Sequence, residues 1–193
     1  MAAVNPKTTA LISTIITRMV NLGLDKKQVF SKMLELYVLR HGKAEEAGID
    51  KRDFDRHLSK KGIAQINQLS QYFKDRNTLI EEVVVSSAKR TMETAGIVGV
   101  HLGLESVNES RELYLAELEK IKSIVLREER SDNLLFVGHN FGISHFVSYL
   151  ANERISLSTG MCIHFKFDAD NWSEVVAGSG EIVAIFKPQI IHP

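Results

Sequence analysis

Apolar positions along this chain fall into two alternating kinds of segment. Short, nearly continuous apolar runs occupy residues 34–39, 82–86 (EVVVS) and 134–138 (LLFVG). Runs of this length without polar alternation predict strands buried on both faces. Between them, apolar residues recur at every third and fourth position. Ser59 is placed to cap a helix whose stripe is Ile63, Ile66, Leu69 and Phe73. A second helix is expected from about Lys89 to Val100. A third is expected from about Leu115 to Glu128 with Leu118, Ile121, Ile124 and Val125 inward, and a fourth carries Ile143, Phe146, Val147 and Leu150 on one face. This alternation predicts an α/β fold, a three-layer α/β/α sandwich around a mostly parallel sheet. The C-terminal part differs. MCIHFKF alternates with period two, and Asp170-Asn171 opens a turn toward WSEVV and EIVAIF, so antiparallel strands are expected at one sheet edge.

The first 32 residues follow another pattern. Asn5-Pro6 suits a helix start, and Leu11, Ile12, Ile15, Ile16, Met19 and Val20 form a helical stripe. Gly23 would end that helix, and Asp25 would cap a short second one running to Lys32. Residues 1–32 are therefore read as a helical extension ahead of a domain over 33–193. The stripe must be covered, either by the domain or by a second copy of the chain in a homodimer.

Composition narrows the partners. Lys plus Arg number 24 and Asp plus Glu number 24. That balance gives no general reason to expect nucleic acid or an anionic membrane as partner. A single cysteine, Cys162, leaves no disulfide framework and no zinc cluster, which suits a reducing, cytoplasmic setting. No segment reaches the length of a membrane span, and the N-terminal stretch ALISTIITRMV lacks the basic flank of a signal peptide.

Chemistry-bearing residues collect where the three buried strands end. The first strand delivers Arg40, His41 and Gly42, the second Ser86, Ser87 and Arg90, and the third Gly138, His139 and Asn140. In an open parallel sheet, ligands bind outside the carboxyl ends of the strands. Two arginines at one small site suit a dianionic phosphoryl group. A neutral imidazole in that field is positioned to attack phosphorus, giving a phosphohistidine that water then hydrolyses. A second imidazole would stabilise the transferring group, and Gly42 would allow close backbone approach. Ser86 and Asn140 flank the same crevice. A metal centre on His41, His139 and an aspartate is disfavoured, because the arginines would repel a cation. Neither a metal nor a cofactor is expected. His145, His164, His101, His192 and Cys162 carry surface or packing roles in this reading.

These motifs resemble the histidine phosphatase, or phosphoglycerate-mutase-like, superfamily. The resemblance rests on Arg40-His41-Gly42, on Ser86-x-x-x-Arg90-x-x-x-Thr94-Ala95, on Val137-Gly138-His139-Asn140, and on DFDRHLSKKG with Asp53, Arg56, Leu58, Ser59 and Gly62. It covers Met33 to about Pro188. The short interval between Arg90 and His139, with RELYLAELEKI in it, is similar to SixA-type phosphohistidine phosphatases. The resemblance implies His41 as the phosphoryl-accepting nucleophile, with Arg40, Arg90 and His139 completing the phosphate pocket and Arg56 reaching it from a loop. For a proton donor it points to Glu112, with Glu109 second, although SixA-like members often lack a clear acid. His57 stands where the family often has proline. The expected activity is metal-independent hydrolysis of phosphohistidine in a protein. A broad phosphatase of small phosphoesters, or a catalytically weak phosphoprotein-binding module, are the competing expectations.

Overall fold

A computed structural model describes residues 33–46, 48, 52–104, 107–127 and 129–189. The expected N-terminal helices, the homodimer contact assigned to them and His192 lie outside the described residues.

The sheet has six strands: β1 (Met33–Arg40), β2 (Glu82–Ser86), β3 (Asn108–Ser110), β4 (Asn133–Gly138), β5 (Cys162–Asp168) and β6 (Glu181–Phe186). Their order is β3-β2-β4-β1-β5-β6. The pairs β1–β4, β2–β4 and β2–β3 are parallel, whereas β1–β5 and β5–β6 are antiparallel. Burial on both faces accounts for the continuous apolar run of β1. Its Leu34, Leu36 and Val38 enter one buried cluster with helices α3 (Leu118–Val125) and α4 (Gly142–Ala151), while Tyr37 and Leu39 enter the other with α1 (Lys60–Asp75) and α2 (Lys89–Leu102). Each fully buried Leu or Phe in these layers contributes roughly 1.5–3 kcal/mol. The fold is thus an α/β/α arrangement on a mixed sheet. Among the described residues, no helix is long and apolar enough to cross a membrane.

Four expectations change. Ile63 is 43% exposed rather than inward; the buried face of α1 runs through Gly62, Ile66, Leu69, Ser70 and Phe73, and Ile63 lies on its flank. α3 begins at Leu118, because Leu115 takes a left-handed φ of 50° that breaks the helix before it starts. WSEVV is not a strand: Trp172–Glu174 form a 3₁₀ turn, with the Trp172 indole donating to the Ser131 carbonyl at 2.8 Å. β3 is an addition to the expected strands.

Ser59 caps α1 as expected, its hydroxyl accepting from the Gly62 amide at 3.1 Å. The same hydroxyl donates to the Lys43 carbonyl at 2.9 Å, so the helix start is fastened to the loop leaving β1. The approach is tight enough that a Cβ on Gly62 would lie 2.1 Å from the Lys43 oxygen. Gly62→Ala is therefore expected to lower Tm by about 2–12 °C. The control Gly96→Ala meets nothing within 4 Å and should hold or raise Tm. Thermal unfolding followed by circular dichroism separates the two.

Candidate active site

Strand register sets the site. Arg40 pairs with Gly138 across β1 and β4, which brings the next residues, His41 and His139, side by side with ring centroids 5.2 Å apart. β2 lies on the other side of β4 with Val85 level with Val137, so Ser86 arrives beside His139. The three strand ends converge on a cavity of about 350 Å³ lined by Arg40, His41, Lys43, Asp53, Arg56, Arg90, His139 and Asn140, together with Ala44, Leu115 and Thr159.

The His41 ring has a defined tautomer. Its Nδ1 lies 2.7 Å from the Gly42 carbonyl, which can only accept, so Nδ1 carries the proton. Nε2 is left with its lone pair, and Arg90 Nε donates to it at 3.2 Å. Burial pushes the His41 pKa down to about 4; the Gly42 hydrogen bond opposes this, and the charges of Arg90, Arg40 and Arg56 add to it. His139 is lowered further, to about 3, by burial and by His41 and Arg90. Both rings are neutral at pH 7.

His139 Nε2 is 2.8 Å from the Ser86 hydroxyl. With that hydroxyl donating, the ring proton sits on Nδ1, which is buried without a hydrogen-bond partner. Arg40 donates to the Leu157 carbonyl at 2.7 Å, while its Nε is likewise buried and unpartnered. Buried donors without acceptors are rare, and here two flank one cationic cavity. Asn140 supports this corner, donating to the same Leu157 carbonyl at 3.1 Å and accepting from Ser144 at 2.8 Å.

Four sequence candidates fall differently from their expected places: Ser86, which is fully buried behind His139 and does not line the cavity, and Gly42, Glu112 and Glu109. Gly42 carries a packing constraint: a Cβ there would lie 2.7 Å from the Gly62 carbonyl, and Gly42 is not among the cavity-lining residues. Its amide donates to Thr94 Oγ1 at 3.2 Å, tying the first motif to the second. Glu112 is 64% exposed and paired with Lys120 at 2.6 Å, which lowers its pKa, and it does not line the cavity. Glu109 is exposed on β3. Arg56 does reach the site.

Asp53 gains a role that its place in the sequence does not assign. Arg90 donates to its backbone oxygen at 2.6 Å and to its Oδ2 at 3.0 Å, and Tyr114 donates to Oδ2 at 2.7 Å. Arg56 holds Oδ1 at 2.8 Å. Burial raises the Asp53 pKa, but the Tyr114 and Arg56 hydrogen bonds and the charge of Arg90 outweigh it and hold the carboxylate at about 2. The available signal was the Asp-x-x-Arg spacing in DFDRHLSKKG. It did not reveal that Arg90, from another helix, turns to the same carboxylate.

The shifts fix a pH dependence. Folding lowers the affinity of both imidazoles for protons, so below the ordinary value of 6.5 the unfolded chain takes up protons first. Stability contributed by His41 is expected to be full above pH 6.5 and lost as pH falls through about 4. Asp53 extends the loss from its ordinary 3.8 down through about 2. Hydrolysis of an aryl phosphate, once corrected for the substrate's own second ionisation at about pH 6, should hold level from pH 7 to 5 and fall near pH 4, where His41 protonates; a residual limb near 6.5 would contradict the buried, neutral ring.

Neutral imidazoles and guanidinium groups closing on one small cavity at the sheet's carboxyl edge define a phosphatase of the histidine type. The chain belongs to the histidine phosphatase superfamily (branch 1), whose family model matches residues 36–135. An uncharacterised chloroplastic protein of Arabidopsis thaliana is 25% identical over 158 residues, spanning 75% of this chain and 72% of its own. In fold, the chain is similar to a protein of Agrobacterium tumefaciens assigned provisionally as the phosphohistidine phosphatase SixA, with TM-score 0.71 and 20% identity over 80% of this chain and 98% of that one. It is also similar to the protein histidine phosphatase SixA solved with tungstate, with TM-score 0.69 and 20% identity over 80% and 97% of the two chains.

Proposed function

We propose that the protein hydrolyses phosphohistidine in a polypeptide substrate, without a metal, through a phosphohistidine intermediate on His41. The observation that carries this reading is the His41 ring itself. Its proton is committed to the Gly42 carbonyl, and its Nε2 lone pair meets Arg90 in a cavity with four cations and one carboxylate.

In the first step the Arg90 Nε–H turns from His41 Nε2 to a phosphoryl oxygen, which frees the lone pair; Nε2 then attacks phosphorus as the bond to the leaving atom breaks, and the electron pair departs with the leaving group. Arg40 and Arg90 hold the phosphoryl oxygens, with Arg56 and Lys43 adding positive charge. The unpartnered Arg40 Nε and His139 Nδ1 are donors suited to those oxygens as charge develops. Ser86 sets the His139 tautomer, and Asn140 fixes the carbonyl on which Arg40 rests. Water then attacks the phosphoryl group, and His41 leaves as the neutral Nδ1–H imidazole, so no proton need be supplied to it. The tungstate carried by one structural neighbour is an oxyanion of similar shape to phosphate, which agrees with this assignment.

The substrate class is supported by the described cavity lining, in which Asp53 is the only carboxylic acid. Glu112 and Glu109 are exposed away from the cavity lining, and Asp53 stays ionised. Among the described residues lining the cavity, an alkoxide leaving group finds no carboxylic acid in its protonated form, whereas a protonated phosphoimidazole needs none. Turnover of a phosphohistidine-bearing protein domain should therefore exceed that of a phosphoserine peptide, with EDTA present. Faster loss of the ester would overturn the substrate assignment.

A further inference from the structure

Among the described residues lining the cavity, Asp53 is the only carboxylate, facing Arg40, Lys43, Arg56 and Arg90. Its three donors come from separate elements: Arg56 from its own loop, Arg90 from α2, and Tyr114 from the turn before α3. Together they fill three of about four acceptor positions that a carboxylate offers. The side chain is nevertheless 44% exposed, so the remaining position is open to a ligand. One planar guanidinium separates it from the nucleophile, since Arg90 touches His41 through Nε and Asp53 through the far end of its fork. A carboxylate fixed this firmly, one guanidinium away from the attacking nitrogen, is a poor proton donor and a good acceptor.

Resting on the reading that phosphohistidine is the substrate, we propose that Asp53 reads the leaving group: it accepts the N–H of the substrate's phosphoimidazole ring and holds that ring in its protonated form. As His41 Nε2 bonds to phosphorus, the P–N bond of the substrate breaks and its electron pair stays on the departing nitrogen. The departing imidazole keeps the proton on its other nitrogen and leaves neutral. His41, which keeps its own Nδ1 proton on the Gly42 carbonyl, becomes the cationic phosphoimidazole. The step exchanges one phosphoimidazolium for another, with Asp53 doing for the substrate ring what the Gly42 carbonyl does for the enzyme ring. An ester oxygen carries no such proton, so Asp53 selects phosphohistidine over phosphoserine. The charged or titratable groups facing Asp53 are Arg56, Arg90 and Tyr114 in contact, and Arg40, His41, Lys43 and His139 across the cavity.

The test compares the full chain with Asp53→Asn on a phosphohistidine-bearing protein domain and on an aryl phosphate, whose leaving group requires no proton. The amide keeps the size of the side chain but loses its charge. The ratio of kcat/KM for phosphohistidine to that for the aryl phosphate should fall by about tenfold to a hundredfold. Equal losses on both substrates would reduce Asp53 to a prop for Arg90 and overturn the proposal. A second measurement needs no variant. In the wild type, kcat/KM for phosphohistidine should decline on the alkaline side, as the substrate ring loses its proton, along a limb absent with the aryl phosphate; coincident profiles also overturn it. Failure of the substrate assignment looks different, because the wild type would then hydrolyse the aryl phosphate and leave phosphohistidine untouched.

Discussion

Replacing His41 with alanine is expected to reduce turnover of every phosphorylated substrate by about 10⁴-fold or more, the usual scale for loss of a nucleophile. The expectation follows from how few alternatives the cavity offers. His139 is the other imidazole, but its Nε2 is engaged with Ser86, and its remaining nitrogen carries the proton when that hydroxyl donates. Asp53 has its oxygens committed to three donors, and Lys43 is a cation. Quenching wild-type turnover should trap an acid-labile, alkali-stable phosphoprotein, and the same quench of His41→Ala should trap none. Retention of even a hundredth of the wild-type rate in the variant would sink the assignment of His41.

Arg90→Lys should be nearly as damaging, lowering kcat by about 10²–10³-fold while the positive charge is retained. Arg90 is 4% exposed and uses all three nitrogens in different directions: Nε on His41, and the two terminal nitrogens on the backbone and side chain of Asp53. An ammonium group is a single point and cannot span those partners. The loss should appear mainly in kcat, since net charge in the cavity, and with it the attraction for a dianion, is unchanged. A drop smaller than tenfold would mean that Arg90 acts through charge alone, with its fork irrelevant.

The layers of this fold were legible because burial on both faces leaves β1, β2 and β4 no polar alternation, a pattern that neither a surface helix nor a one-sided strand produces. The helix-capping Ser59 was legible for a local reason as well, since its hydroxyl serves the amide three residues on. β3 was not. Asn108, Glu109 and Ser110 are polar, and they become a strand only by pairing with Val84, Val85 and Ser86. Nor could periodicity place Ile63, whose phase on α1 is close to the buried stripe although the residue stays 43% exposed. At the site, Arg40, His41, Arg90 and His139 were legible because strand ends in a parallel sheet share one edge. The packing constraint on Gly42 was not legible, because the neighbour it makes room for, the Gly62 carbonyl, comes from a helix 20 residues on. Asp53 escaped for a similar reason: its role depends on Arg90 and Tyr114, 37 and 61 residues away.

The position of β1 has a consequence for how the protein fails. This strand is bonded on one side to β4 and on the other to β5, with helical layers over both faces. Its backbone amides are expected to exchange with solvent deuterium only when the whole sheet opens, and so to fall in the slowest class among the described residues. The residues that end it, Arg40 and His41, inherit that protection. Gradual heating should therefore leave the catalytic centre intact until the cooperative transition, without an earlier stage in which the chain is folded but inactive. Enzyme inactivation and loss of the β1 deuterium barrier would then share one midpoint.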